Sequence, residues 1–304
     1  MPQPFGERLA ERVRERDSQL VLGLDPDPRA LWPDALATAP RSGMAAERAA
    51  VAVTEQCRLL IEAAGRSCVA VKPQLACFER LGAPGWDALA RTVAAAREAG
   101  LLVIADGKRG DVPVTAAAYA QALLGSTPTP FGDVPGLGAD AVTINPLLGE
   151  DAIAPLIETA RARGAGIFLL VRTSNPGAAD VQDARMADGR PLWERLAALV
   201  ERLGEGTPLA DIGAVTGATA PEHLSRLREL MPRAPFLLPG VGAQGGRVED
   251  LAPAFAPGPG AGLVTASRSI ARAGEATGAP PGPAAAAEAE RLREAARRAV
   301  VAAR

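Results

Sequence analysis

Lysine occurs only at Lys72 and Lys108 in this 304-residue chain, and the other 31 of its 33 basic residues are arginine. A composition biased toward Arg, Ala, Gly and Pro accounts for most of that asymmetry, but not for the two survivors. A lysine ammonium can be tuned in pKa and can give up a proton, whereas a guanidinium is effectively never deprotonated. Both lysines are therefore candidates for proton chemistry. The sharper surroundings belong to Lys108, in Ile104-Ala-Asp-Gly-Lys-Arg-Gly-Asp-Val-Pro-Val-Thr115. Asp106 and Lys108 stand two apart, so the alternation of a strand aims both the same way, with Gly107 opposite. Asp111 follows Lys108, and a helix starting there sets Asp111 and Thr115 about one turn apart. A carboxylate–ammonium–carboxylate row of this kind keeps Lys108 charged and places negative charge beside a bound anion. The plainer alternative is a strand-end ion pair, with Asp111 capping the helix that continues through Pro113.

Two late segments point to phosphate. Leu238-Pro-Gly-Val-Gly-Ala-Gln-Gly-Gly246 and Thr265-Ala-Ser-Arg-Ser-Ile270 each follow an apolar run. Glycine-rich backbone there, Gly245 included, offers N–H groups near a helix start, with Arg268 as a bidentate anion ligand and Gln244 as a side-chain donor. The alternative is that these glycines only make tight turns. Asp25, in Gly-Leu-Asp-Pro-Asp-Pro, is either an acceptor for sugar hydroxyls or a turn aspartate before proline. Ser174, in Arg172-Thr-Ser-Asn-Pro-Gly177, either binds the amide edge of a base or closes a local turn.

Other chemistries are scarcely provided for. The single histidine, His223, rules out multi-histidine metal sites and has no nucleophile motif near it, so a surface or capping role is expected. Cys57, Cys68 and Cys77 are odd in number and show no CxxC, which argues against a disulfide framework or a structural zinc. No metal ligand set is expected. The 35 acidic residues nearly balance the basic ones, for a net charge of −2, so nucleic acid is not an expected partner. With no secretory signal and no long apolar run, a membrane role is not expected and the cytoplasm is the expected location.

The elements that must position these residues alternate along the chain. Eight short apolar runs, beginning with Leu20–Asp25 and ending with Ala261–Ala266, are separated by amphipathic stretches such as Ala45–Ala64 and Leu192–Leu203. Runs that are apolar throughout suit strands covered on both faces in a parallel sheet. Eight βα repeats in a chain of this length predict an α/β fold, a (β/α)8 TIM barrel, here as one domain over 1–304. Phe5–Arg16 is expected to be an extra N-terminal helix closing the bottom. A flexible link over 274–283 is expected to lead to a C-terminal helix over 284–304, and Ser126–Gly138 to form a surface excursion. In such a barrel the active site gathers at the carboxyl ends of the strands, where Asp25, Lys72, Asp106, Lys108, Asn145, Thr173 and Ser174 all fall.

Asp-Gly-Lys-Arg-Gly-Asp at 106–111 resembles the DxKxxD signature of the orotidine 5′-phosphate decarboxylase family. Val71-Lys-Pro-Gln with Phe78-Glu, Arg172-Thr-Ser-Asn-Pro-Gly, Pro239-Gly-Val-Gly-Ala-Gln-Gly and Ser267-Arg-Ser resemble its other blocks, in an order like that of the longer bacterial (type 2) branch. Gln74 stands where many relatives carry an asparagine. The resemblance implies decarboxylation of orotidine 5′-monophosphate to UMP in de novo pyrimidine biosynthesis, without a cofactor. It implies Lys108 as the acid that protonates C6, Asp106 against the substrate carboxylate, and Lys72 and Asp25 on the ribose. Ser174 would read the pyrimidine edge, while Gln244 and Arg268 hold the phosphate. Asp111 and Thr115 would reach across a homodimer interface into the neighbour's site. Magnesium-dependent relatives acting on sugar phosphates would be expected to carry an acidic metal ligand at the second strand's end, where this chain has Lys72.

Overall fold

A computed structural model describes residues 2–303. Eight parallel strands close into a barrel: β1 (Leu20–Leu24), β2 (Ala70–Pro73), β3 (Leu102–Arg109), β4 (Ala141–Ile144), β5 (Gly166–Arg172), β6 (Ile212–Thr216), β7 (Phe236–Leu238) and β8 (Gly262–Ala266). Each strand pairs with its neighbours in sequence, and β8 returns to β1 with Leu20, Val21 and Leu22 opposite Val264, Thr265 and Ala266. The apolar runs read from the sequence are these strands, shifted by a few residues at most. β3 runs furthest past its expected end, because it continues through the charged segment Asp106–Arg109.

The barrel is stoppered from below by the helix Phe5–Arg16, whose Phe5, Leu9 and Val13 are buried against Val21, Leu102, Ile104 and Phe168. Phe5 meets Phe168 edge-on at a centroid distance of 5.9 Å. Gly166 makes the space: a Cβ there would lie 2.2 Å from Phe5 Cδ1. This seals the lower end of the barrel and leaves its upper mouth open.

Amphipathic helices surround the barrel, among them Ala45–Ala64, Ala83–Glu98 and Leu192–Leu203. The last helix, Pro281–Ala302, lays a small-residue stripe (Ala285, Ala289, Leu292, Ala296, Ala299) over Ala45–Ala64 and the 3-10 segment Val248–Phe255, in the same core as the barrel. It begins at Pro281, so the link expected over 274–283 ends at Pro280. The two prolines at 281 and 283 sit in the first turn, where a missing N–H costs nothing. Ser126–Gly138 carries a two-stranded antiparallel hairpin, Ser126–Thr127 with Val134–Pro135.

Candidate active site

The barrel mouth opens into a cavity of about 600 Å³ whose wall includes Asp25, Lys72, Asp106, Lys108, Ser174, Gln244 and Arg268. Seven residues chosen from scattered positions along the chain thus converge on one space.

Asp106 is the hub. It is 4% exposed, and both oxygens are occupied. Oδ1 accepts from Lys108 Nζ at 2.6 Å and from Thr143 Oγ1 at 2.8 Å, while Oδ2 accepts from Lys72 Nζ and from Gln74 Nε2 at 3.3 Å. Burial alone would raise the Asp106 pKa, but the charges of Lys72 and Lys108 and their hydrogen bonds outweigh it and hold the carboxyl far below its ordinary range. Burial likewise works against the Lys72 ammonium, and the negative charges of Asp106 and Asp25 overcome it, raising its pKa. Asp106 thus stands between the two lysines, within hydrogen-bond reach of both.

Lys108 reaches this position by a route that plain strand alternation does not describe. β3 and β4 pair Ala105 with Val142, yet next pair Arg109 with Ile144, so β3 bulges by two residues over Asp106–Lys108. Lys108 itself has φ of +48°, a left-handed conformation that costs a side-chain-bearing residue energy. Thr143 holds the bulge: its hydroxyl accepts from the Lys108 N–H at 2.9 Å and donates to Asp106. Bulges beside active sites re-aim side chains in this way. Lys108 keeps a side chain 42% exposed to the cavity, unlike Lys72 at 7%.

The expected carboxylate–ammonium–carboxylate row is corrected within one chain to ammonium–carboxylate–ammonium: Lys72, Asp106, Lys108. Asp111 turns away and accepts from the Val112 N–H at 2.8 Å. The helix that follows is Pro113–Leu123 with Val112 at its cap position, so Asp111 precedes the cap. Thr115 is exposed on that helix, and neither residue lines the cavity. Gly110 packs so closely on Asn145, where a Cβ would lie 2.7 Å from the carbonyl oxygen, that the chain leaves the mouth immediately after the bulge. Asn145 is likewise occupied elsewhere, accepting from the Leu147 N–H.

At the other side, Asp25 accepts from Ser267 Oγ at 2.6 Å, tying the end of β1 to the end of β8. Gln244 and Arg268 both border the cavity, whereas Gly245 does not, and its N–H donates to Gly242 O within the loop. Gly240, at φ +104°, abuts Ser174: a Cβ there would come within 3.1 Å of the Ser174 Cβ. The glycine loop and the Ser174 loop therefore touch. Among the described residues no cluster of metal-ligating side chains occurs.

Residues 18–279 match the sequence profile described as Orotidine 5′-phosphate decarboxylase / HUMPS family. The chain belongs to the orotidine 5′-phosphate decarboxylase / HUMPS family. A Deinococcus radiodurans orotidine 5′-phosphate decarboxylase is 42% identical over 276 residues, which cover 89% of this chain and 90% of that protein. A crystal structure from Streptomyces avermitilis, of a protein provisionally given the same name, superposes with a TM-score of 0.80 at 36% identity, covering 99% of this chain and 97% of that one. The Leishmania donovani OMP decarboxylase structure gives a TM-score of 0.73 at 32% identity, over 98% and 100% of the two chains.

Against the family's DxKxxD pattern, residues beyond the motif also shape this site. Thr143 was readable as a polar residue inside an otherwise apolar strand, and that was its only signal. Gln182 had none. It lines the cavity from the helix Ala178–Gln182 and locks the Ser174 loop, accepting from the Thr173 N–H at 2.7 Å and donating to Thr173 Oγ1 at 2.9 Å. Arg172, quoted only as part of a motif block, clamps Asp183 through two hydrogen bonds and fixes the same loop.

Proposed function

We propose that this chain decarboxylates orotidine 5′-monophosphate to UMP. The observation that carries this reading is the buried Asp106 held between Lys72 and Lys108 in the mouth of a barrel whose opposite rim bears Gln244 and Arg268. Breaking the C6–carboxylate bond leaves an electron pair on a carbon with no delocalising group, so the catalyst must supply a fixed positive charge there. Lys108 Nζ supplies that charge and then its proton: the C6 pair takes the proton, carbon dioxide departs, and the neutral amine is reprotonated from solvent. Asp106 crowds the substrate carboxylate, a negative charge that is relieved as carbon dioxide leaves. Lys72 and Asp25 hold the ribose, Ser174 the pyrimidine edge, and Gln244 and Arg268 the phosphate, with Gly245 in the loop that closes over it. No metal or cofactor takes part, and the work is that of a cytoplasmic biosynthetic enzyme.

The active unit in this reading is a homodimer, with Asp111 and Thr115 completing the partner's site. Support comes from the helix Pro113–Leu123, which has no charged side chain and exposes Val114 at 85% while burying only Ala116, Ala120 and Leu123. A surface helix without charge is one that expects a cover.

The ultraviolet decarboxylation assay with and without EDTA tests the reaction. Turnover of orotidine monophosphate that persists in EDTA is expected. Loss on chelation with recovery on magnesium would move the assignment to the sugar-phosphate branch. For the dimer, Asp111→Ala and Lys108→Ala chains are each expected to be inactive, and mixing them to restore about a quarter of the sites, one per heterodimer. Heterodimers without activity would refute shared sites.

A further inference from the structure

The even-numbered strands each contribute one side chain to the floor of the cavity: Lys72 from β2, Thr143 from β4, Val215 from β6 and Thr265 from β8. Such four-residue layers from alternate strands are how a (β/α)8 interior is filled. Two of the three polar members are satisfied by the protein itself, since Lys72 and Thr143 both donate to Asp106. Thr265 is not. It is 5% exposed, its Oγ1 is sealed from bulk water, and among the described residues that oxygen has no hydrogen-bond partner. Leu170, Val215 and Leu237, which line the same cavity from within β5, β6 and β7, have no polar side-chain atom to offer. A buried hydroxyl without a partner is destabilising and uncommon, and it is explained when a bound molecule completes it. Thr216 and Ser269 also carry unpartnered hydroxyls, but neither lines the cavity.

We propose that Thr265 is a binding residue for the nucleoside part of the ligand, its hydroxyl exchanging a hydrogen bond with a carbonyl or hydroxyl group at the cavity floor. The assignment rests on the nucleotide reading above. The phosphate is not its partner, because Gln244 and Arg268 lie beyond the carboxyl ends of β7 and β8, whereas Thr265 lies within β8. A phosphate held at that rim leaves the opposite end of the nucleotide to meet the floor. Thr265 thus reports on the sugar or base, and only on a ligand long enough to reach it.

Thr265→Val keeps the branched shape and removes the hydroxyl, while Thr265→Ser keeps the hydroxyl. Calorimetric titration with UMP is expected to show binding weakened about fivefold in Thr265→Val, the loss of one neutral hydrogen bond, and near-normal binding in Thr265→Ser. The inhibition constant of inorganic phosphate should not change in either. Unliganded Thr265→Val should also melt at a higher temperature than wild type, since the unpaired hydroxyl is gone. Unchanged UMP affinity in Thr265→Val, or equal losses for UMP and phosphate, overturns the assignment while leaving the nucleotide reading intact. Wild-type protein that binds phosphate but not UMP refutes the nucleotide reading, and this assignment with it.

Discussion

The wall built from β2, β3 and β4 and the rim above β7 and β8 are made on opposite principles. In the wall every charge is already engaged: Asp106 accepts four hydrogen bonds, Lys72 is buried, and a strained bulge is pinned by Thr143. On the rim, Arg268 is exposed, makes no ion pair among the described residues, and stands on a single helical turn, Arg268–Ala271. Groups that must stabilise a transition state work best when fixed beforehand, because no free energy is then lost in reorganising them. Groups that must capture a ligand and let it go work best when the ligand completes them. In the proposed reaction the contrast would put the chemistry at the wall and the capture at the rim.

Altering the wall should therefore have the largest effect. Lys108→Ala is expected to lower kcat at least a thousandfold, removing both the charge and the proton source, while UMP binding survives in part. Lys108→Arg should fail nearly as badly although it keeps the charge, because a guanidinium does not release its proton. Steady-state kinetics and UMP titration check both, and near-normal turnover in either variant erases the contrast. Altering the rim should show in affinity instead. Arg268→Ala is expected to raise KM about ten- to a hundredfold, the worth of a charge-assisted phosphate contact, with a smaller change in kcat. A variant that lost only kcat would reverse the roles of the two regions.

The smallest effect expected is on stability with pH, and it belongs to the wall alone. The Asp106 carboxyl is lowered in the folded state, so its contribution is present above the unfolded carboxylate value of about 3.9 and is lost as pH falls toward the folded one. Lys72 is raised, so its contribution is present below the unfolded lysine value of about 10.4 and is lost as pH rises through the folded one. Melting temperatures of wild type and Asp106→Asn across pH should diverge most between these limits and converge below pH ~4. A constant difference down to strong acid would show that Asp106 is not held ionised by its neighbours.

The barrel was legible in the sequence because strands buried on both faces are apolar throughout, and the runs from Leu20 to Ala266 could be counted. The helices at Phe5–Arg16, Ala45–Ala64 and Leu192–Leu203 were legible to their end residues for the matching reason, a 3.6-residue period. The wall was only half legible. Residue types and spacing singled out Asp106, Lys108 and Lys72, but the bulge depends on a left-handed lysine, a conformation no local pattern announces. Asp111 looked like part of the same row because sequence proximity hides the turn at Gly110. Thr143, Thr265 and Gln182 escaped notice because hydroxyls and amides on buried strands and loops carry meaning only once their neighbours are known.

The stopper at the foot of the barrel bears on how the chain is made. Phe5 leaves the ribosome well before its seat against Gly166 and Phe168, which is synthesised more than 160 residues later. Chains grow at roughly 5–20 residues per second, so an apolar helix face waits on the order of ten seconds for its partner. The stopper helix thus waits on a seat made much later in the chain, and while it waits its apolar face is open to wrong contacts.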